Sequence, residues 1–400
     1  MSSETKQDLP GIAQRRLEVI GVFLKIGFFG FGLAAIWGLI QAEVQERRGW
    51  LSKERYLEGL AVVQALPGAT ALQMCIFAGY QRAGQLGGAL AGMAFMLPAF
   101  AIMLALTMLH SSYGALPLMR DAFYGLGPVI LGIFVVAVWR LGRNAIKDRA
   151  AIVIALAAAV AISLTPLGPA GTFLLAGCVG VALHYSRKVG LIAALVVTLL
   201  LVAERYVESM LPVSGAVRQL AGAAAGPWDV GAFFLKVGAA TFGGGLTIIA
   251  FVQEQVVDQL RWITAEEFLV GLALGQVTPG PIIMVAAFVG YKVAGAFGAA
   301  VAACAIFLPS FVLMHSILPV LDRVRSLAWV RAAMRGISPA VVGAISVSVL
   351  QLAPHAAPDA FTAALLGLTV LGLLAWRLPA LPVVACGGLL GIIVRSRLLQ

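Results

Sequence analysis

Apolar residues come in long blocks separated by short polar stretches, and thirteen such blocks fill most of the chain. In the first half they lie near residues 18–40, 58–78, 86–109, 122–140, 150–164, 168–184 and 189–203. In the second half they lie near 231–251, 267–289, 296–318, 332–351, 360–375 and 379–396. A bilayer span needs about 20 apolar residues, and only helices or closed barrels satisfy the backbone there. The pattern therefore predicts an all-α polytopic membrane protein.

The first six blocks match the last six in order. Phe23-Leu24-Lys25-Ile26-Gly27 returns, about 211 residues later, as Phe234-Leu235-Lys236-Val237-Gly238. Trp50 through Gly68 returns as Trp262 through Gly280, and Gly79-Tyr80, Leu97-Pro98 and Phe100 return as Gly290-Tyr291, Leu308-Pro309 and Phe311. Arg120, Gly125, Pro128 and Gly132 return as Arg331, Gly336, Pro339 and Gly343. This divides the chain into a tail (1–17), a first membrane repeat (18–188), a linking segment with a polar linker (189–230) and a second repeat (231–400).

The block at 189–203 has no partner. It makes the second repeat start on the opposite face, so the two repeats have inverted topology. Loop charge points the same way. Loop 41–57 holds Arg47, Arg48, Lys53 and Arg55, whereas its counterpart holds Arg261 beside Glu254, Asp258, Glu266 and Glu267. Loop 140–149 is basic and its counterpart 352–360 is not. Cytoplasmic loops collect Lys and Arg. Loops 41–57 and 140–149 are both basic, yet three blocks separate them. The expectation that reconciles them is that the first two blocks of each repeat are re-entrant, keeping 1–17, 41–57 and 79–85 cytoplasmic. Thirteen full spans are the alternative. In either arrangement the N-terminus is expected in the cytoplasm and the C-terminus in the periplasm.

Composition narrows the class. The hydrophobic fraction is 61% and charged residues make up 12%, roughly half the charge of a soluble domain. The net charge of +10 sits in short loops, where it sets topology rather than binding nucleic acid. Cys75, Cys178, Cys304 and Cys386 lie in apolar blocks at unrelated spacings and read as small core residues. No cleavable signal pattern appears, which fits an inner-membrane protein.

The candidate chemistry lies in paired helix breaks. Leu66-Pro67-Gly68-Ala69-Thr70 is matched by Thr278-Pro279-Gly280-Pro281. Proline removes a donor and turns the preceding residue out of helix, and glycine opens conformations closed to other residues. Non-helical backbone at membrane depth must be buried in protein or line a cavity, and a helix restarting there aims free N–H groups at an anion. A kink that only shapes packing is the alternative. Gln64 and Gln276 precede the prolines by three residues; with Thr70 and Thr278 they read either as ligands or as interhelical hydrogen bonds.

The second constellation is glycine-rich and carries a lysine: Lys25 with Gly27, Gly30 and Gly32, and Lys236 with Gly238, Gly243, Gly244 and Gly245. Three adjacent glycines cost a helix about 1 kcal/mol each relative to alanine, which predicts unwound backbone or close approach. Each lysine reads equally as an attractor for an oxyanion or as an interfacial side chain. Tyr80 and Tyr291 read as interfacial anchors. Glu43 and Glu254 flank the first block of each repeat; they are the nearest carboxylates for coupling, or else solvated loop residues.

No nucleotide-binding loop, dinucleotide fingerprint, nucleophile elbow or zinc signature is present. No cofactor, no metal and no enzymatic activity are expected, and a membrane-embedded enzyme is the weaker alternative to a gradient-driven transporter.

The second half resembles the chromate ion transporter family through Phe234-Leu235-Lys236-Val237-Gly238, Phe242-Gly243-Gly244-Gly245, Gly275-Gln276, Thr278-Pro279-Gly280-Pro281, Gly290-Tyr291 and Leu308-Pro309-Ser310-Phe311. The first half follows it through Arg47-Arg48, Trp50-Leu51, Leu66-Pro67-Gly68, Gly79-Tyr80 and Leu97-Pro98. The resemblance implies a bacterial chromate exporter with antiparallel halves and a proton gradient as one driving force. The family's first half usually reads Phe-Gly-Gly-Pro followed by a histidine. Here Phe31-Gly32-Leu33-Ala34-Ala35-Ile36-Trp37 lacks the second Gly, the Pro and the His. Sulfate, a similar dianion, is therefore the competing substrate, and an anion channel the competing mechanism. The expected partners are chromate or a sulfate-like oxyanion, the lipid bilayer and a second copy in a homodimer.

Overall fold

The computed structural model describes residues 11–114, 117–165, 167–210, 225–241, 246–320, 328–376, 378 and 380–398. Gly243, Gly244 and Gly245 lie outside the described residues, which contain helices and no strand. The first half comprises α1 (Ile12–Phe29), α2 (Leu33–Gln41) running into a π-helical turn (Ala42–Arg47), α3 (Lys53–Ala65), α4 (Thr70–Tyr113), α5 (Pro117–Ala145), α6 (Arg149–Leu164) and α7 (Gly168–His184). Helix α8 (Arg187–Met210) has no counterpart. The second half repeats the order: α9 (Pro227–Ala239), α10 (Thr247–Phe251) running into a π-helical turn (Val252–Gln259), α11 (Ala265–Val277), α12 (Val285–Ile317), α13 (Ala328–Ala356), α14 (Ala360–Ala375) and α15 (Ala380–Leu398). A 3₁₀ turn (Ile282–Met284) precedes α12. Even the caps repeat: Ser52 and Thr264 cap α3 and α11, and Asp148 and Asp359 cap α6 and α14.

The first two apolar blocks of the first half fold back instead of crossing. Lys25 on α1 meets Glu43 after α2 at 2.7 Å, and Phe23 lies 6.5 Å from Trp50. The chain thus doubles back on itself within this block. Helices α3 and α4 then form a hairpin whose tip is Leu66–Ala69. A Cβ on Gly59 would meet the Phe77 ring, and Arg55 lies over that same ring. In the second half Gly271 packs on Phe288 and Gly275 on Val285 in the same way.

Helix α4 itself reverses at Ala83–Gly84, where Gly84 has φ +70°; α12 reverses at Ala294–Gly295, with φ +64°. Only glycine holds that backbone cheaply. The arms on either side pack tightly, Gly79 on Gly87 and Gly290 on Gly298. The sharp turn returns Arg82 to the starting face, where it pairs with Glu18 (2.7 Å) and lies over Trp50. Residues 18, 50 and 82 therefore share one face, as the re-entrant reading expects. Among the described residues, α4, α5, α13 and the segment Ile282–Ile317 containing α12 are long and apolar enough to cross a membrane, and α6, α7, α14 and the Ala380–Arg395 part of α15 are shorter apolar helices.

The long parts of α4 and α12 pack antiparallel: Gln85 bonds His315, and Gly92 lies under Phe311. Two equivalent helices that meet antiparallel have a pseudo-twofold axis across them, which is the geometry of inverted repeats. The halves are also interlocked. Helices α6 and α7 of the first half pack on α13, and α14 and α15 of the second half pack on α5. At these junctions backbone meets backbone, with Gly180 against Gly336 and Gly125 against Gly391. Small residues at crossings supply association where lipid removes the hydrophobic drive. Of the four cysteines, Cys75 and Cys178 are buried, but Cys304 and Cys386 are exposed on the outer apolar surface. The core role expected from sequence fails for those two, because apolar segments here have an outward as well as an inward face.

Candidate functional site

The two hairpin tips are stitched crosswise to the two glycine breaks. The Gly68 N–H donates to the carbonyl of Thr241 (2.6 Å), where α9 has ended. The Gly280 N–H donates to the carbonyl of Gly30 (2.8 Å), where α1 has ended. Thr241 and Gly30 are equivalent positions, so each tip meets the break of the opposite half. The same exchange holds for the walls: a Cβ on Gly68 would strike Ser310 of α12, and one on Gly280 would strike the equivalent Ala99 of α4. Gly68 has φ +121° and Gly280 has φ +101°, so both tips depend on glycine.

The tip amides are partly spent. Ala69 N–H donates to the Ser310 hydroxyl (2.9 Å), and the Gly68 and Gly280 amides are used as above. The first-turn amides of α4 at Thr70 and Ala71, and those of Ile282 and Ile283, start helices with no carbonyl behind them. These donors belong to the restarting backbone after Gly68 and Gly280, where the sequence reading expected free N–H groups. Thr70 is buried at the start of α4. Gln73, one turn on, is fully buried; its side chain donates to the Pro67 carbonyl (2.6 Å), and its Oε1 has no partner among the described residues.

The other residues named from sequence are placed as follows. Pro67 is half-buried and Pro279 buried. Thr278 is buried, its hydroxyl turned back to the Leu274 carbonyl (2.7 Å) and toward Met103 Sδ. Gln276 is half-buried. Gln64 is exposed and lines the end of a cavity of about 360 Å3 that runs along α3 from Lys53, with Gln41 and Gln45 on the α2 side. A second cavity, of about 310 Å3, runs along α11 from Glu266 to Ala273, with His110, Arg120, His355 and Arg395 at its walls. The two cavities follow the two hairpins inward from opposite faces. Gly32 is exposed, with φ +77°.

Lys25 is committed elsewhere: its ammonium sits on Glu43 Oε1. Arg47 (2.7 Å) and Arg48 (3.5 Å) complete a cage around a carboxylate whose side chain is 4% exposed. The Lys25 hydrogen bond, with that of Arg47, holds the Glu43 carboxyl below its usual range despite burial. Lys236 is exposed and makes no ion pair among the described residues. Glu254, the counterpart of Glu43, has no cage. Burial, reinforced by Asp258, pushes its carboxyl up to about 7, against a hydrogen bond from Gln259.

Sequence reasoning missed Gln73 and Ser310. Ser310 sits in a stretch that repeats, but its equivalent is Ala99, so symmetry gave it no weight. Gln73 corresponds to Val285 and carries no repeat signal at all.

A family model described as Chromate transporter matches residues 17–181 and again 228–392. The region between the two matches contains α8, the unpaired helix. The chromate transport protein of Cupriavidus metallidurans is 32% identical over 385 residues, covering 93% of this chain and 91% of that protein. The probable chromate transport protein of Synechococcus elongatus is 30% identical over 391 residues, 94% of each chain. The chromate transport protein of Pseudomonas aeruginosa is 34% identical over 340 residues, 82% of this chain and 79% of its own. No solved structure matches significantly. With both halves matched and relatives of this identity along nearly the whole length, the chain belongs to the chromate transporter family, as a two-repeat, multi-pass membrane protein.

Proposed function

We propose that this protein exports chromate across a bacterial inner membrane, with the dianion bound where the crossed tips and breaks meet. The observation that carries the reading is the reciprocal stitching of Gly68 to Thr241 and Gly280 to Gly30. It supports the reading because each tip, followed by a helix start with its positive dipole end, is bonded to the opposite half. The cavities along α3 and α11 support a carrier over a channel, because each enters from one face and follows one hairpin. In this reading the energy comes from an ion gradient or the membrane potential.

Orientation follows from charge. The face that carries Arg47, Arg48, Arg82, Arg140, Arg143, Lys147, Arg187 and Lys188 is the cytoplasmic one, so the N-terminus is cytoplasmic and the C-terminus periplasmic. Lys53→Cys should be labelled by an impermeant maleimide only after cells are opened, and Arg261→Cys in intact cells. Labelling of position 53 from outside would refute the orientation.

The functional test is uptake of labelled chromate and labelled sulfate by everted vesicles, with and without a pH gradient. An exporter should accumulate chromate in a saturable manner. Sulfate taken up in preference to chromate would move the assignment to a sulfate carrier, the reading favoured by the missing Gly-Pro-His after Phe31. Flux linear in concentration would mean a channel.

A further inference from the structure

The repeat supplies its own control for the two carboxylates at the ends of the π-helical turns. Glu43 and Glu254 occupy equivalent positions, each in a π-helical turn after the second short helix of its half. Around Glu43 the sequence places Lys25, Arg47 and Arg48, and all three reach it. Around Glu254 the same places hold Lys236, Asp258 and Gln259. Lys236 does not reach it, Asp258 replaces a cation with an anion, and Gln259 gives one hydrogen bond to Oε1 (3.1 Å). The other oxygen, Oε2, is buried and has no hydrogen-bond partner among the described residues. A buried carboxylate oxygen facing no donor, beside a second acid, is a place where a proton replaces the missing cation.

We propose that Glu254 is a proton-binding site, open to the extracytoplasmic face, that takes up and releases a proton during the transport cycle, while Glu43 is a permanent ion pair. Coupling of that proton to oxyanion movement rests on the carrier reading above; the protonation itself does not. Proton uptake converts the carboxylate to the neutral acid at Oε2, and release restores the anion, so no other reactant is needed. The burial that pushes the group up to about 7 puts this exchange within the range between cytoplasm and exterior.

The charged groups on the neighbouring elements are largely committed. On the same turn Asp258 accepts from Gln253 (3.2 Å). From α11, Glu267 pairs with Lys292 of α12 (2.7 Å), and Glu266 lies 3.8 Å from His355 of α13. Burial pushes the Asp258 carboxyl up, opposed by the Gln253 hydrogen bond and by His355. From α7, Gly168 lies beside the Glu254 carboxyl and Phe173 packs on Phe251.

The test uses purified protein in proteoliposomes, with the membrane potential clamped by valinomycin and equal potassium. Two readouts are needed. Infrared difference titration should show a protonated-carboxyl band that titrates near neutrality in the wild type and is missing in Glu254→Gln; the same band in both proteins would overturn the site. Labelled chromate should then follow an imposed pH gradient in the wild type, by about tenfold per pH unit for one proton per ion. Glu254→Gln should keep chromate exchange at equal pH and lose the gradient-driven accumulation. Gradient-driven accumulation unchanged in Glu254→Gln, or absent in a wild type that still exchanges chromate, would overturn the coupling and leave the carrier reading intact. A wild type that exchanges no oxyanion while the infrared band behaves as expected would overturn the carrier reading and leave the proton site standing.

Discussion

Gly280→Ala should abolish chromate transport while the protein still inserts, and Gly68→Ala should weaken it severely. At Gly280 the backbone has φ +101°, and a Cβ would lie 2.6 Å from the Cβ of Ala99. The left-handed conformation costs a side chain about 1–2 kcal/mol, and the overlap adds about 1–3 kcal/mol. Ala99 cannot rotate aside, because its Cβ is fixed to the α4 backbone. The tip must therefore withdraw, and the bond to the Gly30 carbonyl goes with it. At Gly68 the obstacles are the Ser310 hydroxyl and Gln73 Nε2, and both can turn at the cost of their own hydrogen bonds. Gly280→Ala should thus be the more damaging of the two. Gly21→Ala and Gly38→Ala, where a Cβ meets nothing within 4 Å and no positive φ is required, serve as neutral controls. Chromate uptake by everted vesicles checks all four. Uptake at the wild-type rate in Gly280→Ala would count against the tip as a site.

The largest structural effect is expected at Gly336→Leu. A Cβ there would strike the Ala176 carbonyl and come within 2.8 Å of the Gly180 nitrogen, so both obstacles are backbone. Neither can rotate away, and α7 and α13 must separate. The loss should be about 3 kcal/mol or more, at the upper end for overpacking. Because α7 belongs to the first half and α13 to the second, the damage falls on the contact that holds the halves together. Size-exclusion profiles in detergent should show loss of the monodisperse species. Gly125→Leu, at the equivalent junction between α5 and α15, should behave alike. A well-folded Gly336→Leu protein would mean that the exchanged helices do not lock the repeats.

The repeat, its inversion and the two broken segments were legible because proline, glycine and loop charge are local signals that recur about 211 residues apart. The fold-back of each first block was legible only through loop charge, since a hairpin arm and a crossing helix have the same apolar composition. What no local signal carried was the crossing of the halves. That Gly68 would meet Thr241, or that α6 and α7 would pack on α13, depends on three-dimensional exchange between equivalent elements. Lys25 shows the same limit. Its position allowed an anion attractor, but Glu43 lies eighteen residues on and reaches it only because the chain turns at Gly30–Gly32. Lys236 has the same sequence context without that partner, so composition alone did not separate the two lysines.

The crossed tips admit a direct measurement. Ala69→Cys and Ser310→Cys, introduced after Cys304 and Cys386 are replaced, put a thiol on each of two residues that are now joined by the bond from the Ala69 backbone N–H to the Ser310 hydroxyl (2.9 Å). The account predicts that mild oxidation joins them, that the joined protein no longer exchanges chromate, that a reductant restores exchange, and that chromate slows the joining. Failure of the thiols to join, or unchanged chromate exchange by the joined protein, would contradict it.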